Sequence, residues 1–166
     1  GFGSVTVESI AREVGMAPST VYRLFVTKED IVLWDEHDVE IDRALEEQLR
    51  RHPPLEAMRR AFVEALGGRY DDDLEFQLAR VSYIYATPSL HAAALQADLR
   101  HRIELADGLR HFLGKRNRHT AAILAGAALL AVDVAIEQWQ ADAAKRTLSV
   151  YLNEAFDSLI DLATIT

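Results

Sequence analysis

Apolar residues return along this chain with a helical period from one end to the other. Val7, Ile10, Ala11 and Val14 recur at three- and four-residue spacing, which predicts a helix with one apolar face. Thr6 precedes them as a hydroxyl N-cap. Gly15 follows them, where a helix stop favours a residue tolerant of positive φ. Pro18 suits the first turn of a second short helix reaching Phe25, because its missing N–H would have no helical partner there. Thr27 caps a third helix, with Asp30 three residues on. Two short helices joined by a glycine turn form the helix-turn-helix layout, whose second helix enters the major groove of DNA.

The same period predicts helices through the rest of the chain. One is expected from Lys28 to Arg51, ending before His52-Pro53-Pro54, and the next from Leu55 to Leu66, stopping at Gly67-Gly68. Asp71, Asp72 and Asp73 offer N-caps to a helix through Tyr85, and Thr87-Pro88-Ser89 breaks the pattern. A long helix then reaches Leu113 and closes at Gly114, followed by helices from Asn117 to Gln140 and from Thr147 to Leu162. There is no strand-like alternation, internal repeat or low-complexity segment. The expected fold is all-α: a helix-turn-helix DNA-binding domain over residues 1–34 and a helical effector-binding and dimerisation domain over residues 35–166.

The last two helices stand apart. Residues 121–135 are almost wholly apolar and rich in alanine, with Gly126 near the middle. The final helix aligns Leu148, Tyr151, Leu152, Ala155, Phe156, Leu159 and Leu162 along one face. Both helices either fill the core of one subunit or meet their copies in a second as a four-helix interface.

Charge and composition narrow the function. Net charge is −8, but residues 1–34 hold Arg12, Arg23 and Lys28 against Glu8, Glu13, Glu29 and Asp30, a net −1. An acidic body with a near-neutral head fits site-specific binding better than a general DNA coat. Few basic residues also mean few phosphate contacts and a modest salt slope per subunit. There is no cysteine, hence no disulfide framework and no thiolate metal site. No run of about 18 apolar residues is present, so no membrane span is expected. Position 1 is Gly rather than Met, and no signal peptide is visible. G-x-S-x-G, a phosphate loop, H-E-x-x-H and paired Glu-x-x-His are all missing. The histidines at 37, 52, 91, 101, 111 and 119 show no i, i+4 pairing. No catalytic residue, cofactor or metal is therefore expected. The acidic run Asp35, Glu36, Asp38, Glu40 and Asp42, with His37 inside it, reads as a solvated helix face.

Gly1, Phe2, Ser4, Thr6, Val7, Ile10, Ala11, Gly15, Thr20, Val21, Tyr22, Phe25, Lys28 and Ile31 together form a pattern that strongly resembles the DNA-binding domain of TetR-type bacterial regulators. It covers about the first fifth of the chain. Ala17 departs from it, standing where the family usually has a capping Ser or Thr. The resemblance implies a further helix ahead of Gly1-Phe2. It implies phosphate contacts from Tyr22, Lys28 and Thr6, and base reading by Pro18, Ser19, Thr20, Arg23 and Leu24 on the second helix. Arg23 suits a bidentate bond to guanine, and Ser or Thr can bond several bases. Lys28, at a helix start, suits a phosphate. Val21 and Phe25 belong to the core.

The resemblance also implies a cytoplasmic repressor, a homodimer on palindromic DNA, and a small, largely apolar effector enclosed by the middle helices. Phe62, Leu66, Phe76, Tyr83, Leu99, Ile103, Leu130 and Trp139 are candidate walls, although a plain core shows the same pattern. Asp133 and Glu137 share a face of an otherwise apolar helix, where a buried carboxylate needs a partner. Residues K-E-D-I-V-L-W-D, the later T-P-S-L and the closing A-I-E-Q-W resemble the effector domain of mycofactocin-system regulators. That likeness implies an acyl-coenzyme A effector, with Arg80, Arg100, Arg102 and Arg110 as phosphate partners. The competing class is a helical binding module with a degenerate head.

Overall fold

The computed structural model describes residues 1–34, 38–114 and 117–164. Among them every regular element is helical. A short 3-10 turn, Phe2–Ser4, leads into the head: α1 Val7–Glu13, α2 Pro18–Leu24 and α3 Lys28–Leu33. The body follows with α4 Asp38–Leu49, α5 Pro54–Phe62, α6 Gly68–Asp72, α7 Leu74–Ala86, α8 Pro88–Leu113, α9 Arg118–Ala141 and α10 Leu148–Thr164.

Two expected boundaries change. The helix read from Lys28 to Arg51 ends first at Leu33, because Trp34 turns to an extended ψ of 124°. The guanidinium of Arg80 on α7 donates there to the carbonyls of Val32, Leu33 and Trp34, supplying side-chain donors to the helix end. Asp35, Glu36 and His37 of the acidic run lie outside the described residues, as does the side chain of Asp38.

The second change concerns Gly67-Gly68, which does not stop a helix. The chain runs from α5 through a π-helical segment, Val63–Gly67, directly into α6. A Cβ on Gly67 would sit 2.0 Å from Ser149 Oγ of α10, so this glycine permits a close helix approach. The stop falls later, at Asp73, whose ψ of 48° leaves the helical range before α7 begins.

The core lies between α5, α8, α9 and α10. Trp139, Tyr151, Phe156, Met58, Leu109, Leu148 and Leu152 are fully buried in it. Phe62 stacks on Phe156 at 6.1 Å between centroids, and Tyr70 meets Trp139 edge-on at 5.3 Å. Ala121, Ala125, Ala128 and Ala135 are also fully buried, and their small side chains let α8 and α10 close on α9 from either side. α10 therefore turns Leu148, Tyr151, Leu152 and Phe156 inward, and its outer face carries Glu154, Asp157 and Asp161. α9 has the length and apolarity to cross a bilayer, with 24 residues and an 18-residue stretch of mean hydropathy 1.9. Asp133 interrupts its apolar run, so the absence of an unbroken run of about 18 apolar residues stands. In the fold, α9 is packed between helices of the bundle.

Candidate DNA-binding head and effector cavity

The head is assembled by caps and a small core. Thr6 Oγ1 accepts from Ser9 N at 3.1 Å and Ser9 Oγ accepts from Thr6 N at 3.0 Å, a reciprocal capping box that starts α1. Thr27 and Asp30 repeat the arrangement at α3. Val7, Ala11 and Val21 are buried together, with Phe25 and Ile31 packed against them. Val14, expected on that face, is exposed as the C-cap of α1. Gly15 takes φ of 68°, as the turn requires. Ala17 gives α2 no side-chain cap. With Val21 turned inward, α2 presents Pro18, Ser19, Tyr22, Arg23 and Leu24 to solvent, with Thr20 partly covered.

The expected phosphate anchors already have partners. The Tyr22 hydroxyl donates to Glu8 Oε1 at 2.7 Å. That bond holds the Glu8 carboxyl below its usual range and raises the phenol. Glu8 escaped the sequence reading, since nothing in the spacing pairs α1 with α2 across 14 residues. The Lys28 ammonium donates to the carbonyls of Phe2 at 2.8 Å and Val5 at 3.0 Å, and lies 4.5 Å from the centre of the Phe2 ring. Lys28 thus clamps the leading turn onto α3, leaving one of an ammonium's three N–H groups for other acceptors.

α7 joins head to body. Besides the Arg80 bonds, Tyr83 meets the buried Phe2 ring edge-on at 6.1 Å. Elsewhere α7 directs Val81, Ile84 and Tyr85 into a cavity of about 400 Å³, completed by Tyr70, Arg80, His91, Ala94, Leu95, Asp98, Asp133, Ile136 and Glu137. Of the expected walls, Asp133 and Glu137 stand here. Phe62, Leu66 and Trp139 are core residues. Tyr83 belongs to the head contact. Phe76 (58% exposed), Leu99, Ile103 and Leu130 (63% exposed) face outward. Helical spacing found the apolar positions but could not rank faces when α8 and α9 are apolar on several sides. Asp98, an acid on the α8 face that meets α9, was not singled out from the sequence.

The cavity is acidic. Burial first, then the neighbouring Asp98 charge, lifts Asp133 to about 6. Burial raises Asp98 against the pull of His101 and His91. Tyr85 is raised by burial and by the charges of Asp133, Glu137 and Asp98. Of the four arginines expected to hold phosphates, Arg80 alone lines this cavity. Arg100 borders an open groove between α3 and α8, Arg102 lies against Gly126, and Arg110 pairs with Asp107 at 2.7 Å.

A helix-turn-helix head held by α7 and α8 against a helical, cavity-bearing body is the layout of a DNA-binding regulator. Residues 1–33 match the family described as bacterial regulatory proteins, tetR family, and residues 52–163 match the MftR C-terminal domain. The chain belongs to the TetR family of transcriptional regulators and carries an MftR-type C-terminal domain. It is similar to the HTH-type transcriptional regulator TcmR of Streptomyces glaucescens, 34% identical over 103 residues, which is 58% of this chain. The matched stretch spans 46% of TcmR. The crystal structure of the TetR family transcriptional regulator PfmR from Thermus thermophilus aligns with 95% of this chain and 88% of its own, at 21% identity and a TM-score of 0.43.

Proposed function

We propose that this regulator is a cytoplasmic repressor that binds a palindromic operator as a homodimer and releases it when a small, largely apolar effector fills the cavity between α7, α8 and α9. The observation that carries this reading is the double role of α7. Val81, Ile84 and Tyr85 line the cavity, while Arg80 and Tyr83 hold α3 and Phe2 of the head. A shift of α7 around a ligand moves the head with it. Tyr22, Thr6 and the third N–H of Lys28 contact phosphates in this reading, and Pro18, Ser19, Thr20 and Arg23 meet the bases.

The dimer is centred on α9, where Ile123 (69% exposed), Leu130 and Val134 form an outward apolar stripe. Leu95, Leu99 and Ile103 of the adjoining α8 are exposed at four-residue spacing beside it. α10 adds the exposed Leu162 and Val150 to this surface, while Leu148, Tyr151, Leu152 and Phe156 face the core. An acyl-coenzyme A effector gains little support, since one arginine reaches the cavity and its guanidinium bonds the head.

A gel shift against DNA flanking the protein's own gene tests the reading. The expected result is a specific complex whose stoichiometry is one dimer per site. No complex with any flanking segment would favour a binding module with a degenerate head, and a monomer at micromolar concentration in sedimentation would remove the dimer. Arg80→Ala should leave the dimer intact while weakening the complex.

A further inference from the structure

We propose that Arg12, in the last turn of α1, is a backbone anchor of the DNA interface: its guanidinium binds a phosphate on the same edge of the head as Tyr22. The proposal rests on reading α2 as the helix that enters the groove, and adds a contact from the helix before it. Two observations carry it together.

The first is where Arg12 stands. The Tyr22 hydroxyl of α2 donates to Glu8 of α1 at 2.7 Å, and both residues are exposed. The outer edge of α1 at Glu8 is therefore continuous with the solvent face of α2 at Tyr22. Arg12 follows Glu8 by four residues, so it lies on that same edge, about 6 Å further along the helix. It is exposed, while Val7 and Ala11 carry the buried side of α1. The step from Glu8 to Arg12 runs toward the Gly15 turn, and so toward the start of α2 at Pro18. In a helix-turn-helix, the start of the second helix meets the base edges while the first helix crosses the backbone. Arg12 stands where those two contacts adjoin.

The second observation is how the charges of the head are used. Its basic side chains are Arg12, Arg23 and Lys28. Lys28 gives two N–H groups to the carbonyls of Phe2 and Val5. Arg12 has an acid at the spacing that ordinarily forms a helix ion pair, Glu8 one turn before it. That carboxylate takes the Tyr22 proton instead. Its lowered pKa comes from Tyr22, its own backbone and Thr6, with no part for Arg12. Arg12 makes no hydrogen bond or ion pair with another described residue. Its five N–H donors stay open in a planar fork that matches two phosphate oxygens. A guanidinium is also more weakly hydrated than an ammonium, so it gives up less on leaving water.

The test uses the full chain and the duplex that it selects from a random pool. Affinity is read by fluorescence anisotropy across a salt series for wild type, Arg12→Gln and Arg12→Lys. In Arg12→Gln the slope of log affinity against log salt should become shallower by about 0.9 for each subunit on the DNA. Affinity at low salt should fall about tenfold for a bound dimer, the scale of two exposed ion pairs. Arg12→Lys keeps the charge and should keep the slope. Phosphate contacts position without reading sequence, so Arg12→Gln should select the same duplex as wild type. A purely structural part, complementing the end of α1, would lower the melting temperature and leave the slope unchanged. An unchanged slope therefore overturns the proposal, and so does a changed selected sequence, which would make Arg12 a base reader. If the wild-type chain selects no duplex, the reading of α2 as a groove helix fails first and the proposal falls with it.

Discussion

In the head, the buried cluster is Val7, Ala11 and Val21, and the remaining order comes from two capping boxes and the Lys28 clamp. In the body, Trp139, Tyr151, Phe156 and several leucines are fully buried around alanine-lined helix contacts. A cluster as small as the head's supplies little stabilisation by itself, because apolar burial scales with area. The head is therefore placed largely by what it leans on: α8 against α3, Arg80 at the end of α3, and Tyr83 under Phe2. A part held by a few polar bonds and one ring contact is also the part that can be moved at low cost, which is what a switch requires.

The strongest way to break this contrast is Trp139→Ala. It removes a fully buried ring from the centre of the body and should cost about 3–5 kcal/mol in urea unfolding. The head should lose its DNA complex along with the body, although Trp139 lies in the core of the latter. A cost below about 1 kcal/mol, or an intact complex above the unfolding midpoint, would mean that the head does not depend on the body's core.

Tyr22→Phe sharpens the contrast from the other side. The hydroxyl is exposed, so its loss should leave the melting temperature unchanged. On the proposed phosphate contact from each half of a dimer, operator affinity should fall by about a hundredfold, the loss of two charge-assisted bonds. Fluorescence anisotropy on labelled operator reads this directly. Unchanged affinity would remove Tyr22 from the interface.

The two regions also differ in how legible they were. Thr6, Gly15, Pro18 and Thr27 each carry a local backbone role, and local roles survive in sequence. The helix-turn-helix followed from them, whereas the all-α class followed from the helical period of the whole chain and the base-reading face of α2 from the family resemblance. The body's errors are all matters of tertiary contact. Gly67 has the chemistry of a stop, yet its lack of a Cβ serves Ser149 more than 80 residues away. Tyr83 and Trp139 are both aromatic on apolar helices, but one meets the head and the other is sealed inside. Asp133 and Glu137 were found because charge on an apolar helix is itself a local anomaly. Asp98, their companion across the cavity, joins them through the packing of α8 on α9.

That anomaly gives the third test. Asp133 titrates near 6 in the folded chain against 3.8 as a free group, so the folded state binds the proton more tightly than the unfolded one. Its contribution opposes folding as pH rises from about 4 to about 6, and that penalty is complete above the folded value. Asp133→Asn should therefore stabilise the ligand-free protein by about 1–3 kcal/mol at pH 7 and by little at pH 4. Chemical denaturation at the two pH values checks the sign. A loss of stability at pH 7 would show that Asp133 has a partner. The gain would mark the body, like the head, as carrying a group kept for binding at a cost in stability.

The smallest effect returns to the head. The Tyr22 hydroxyl has one proton, given to Glu8 in the free protein. A phosphate oxygen is an acceptor too, so the two compete for that proton, and the Glu8 carboxylate adds repulsion toward the DNA backbone. The bond to Tyr22 holds the Glu8 carboxyl below its usual range, so it stays ionised throughout the neutral region. Glu8→Gln keeps the size of the side chain and removes its charge. Operator binding should tighten about threefold, with the larger gain at low salt, where exposed charges act furthest. Tyr22→Phe combined with Glu8→Gln should recover part of the gain, because repulsion is relieved while competition for the proton no longer exists. Weaker binding by Glu8→Gln would reverse the assignment: Glu8 would then be the group that orients Tyr22 for the phosphate, and the head would be preset by its own contacts rather than released from them.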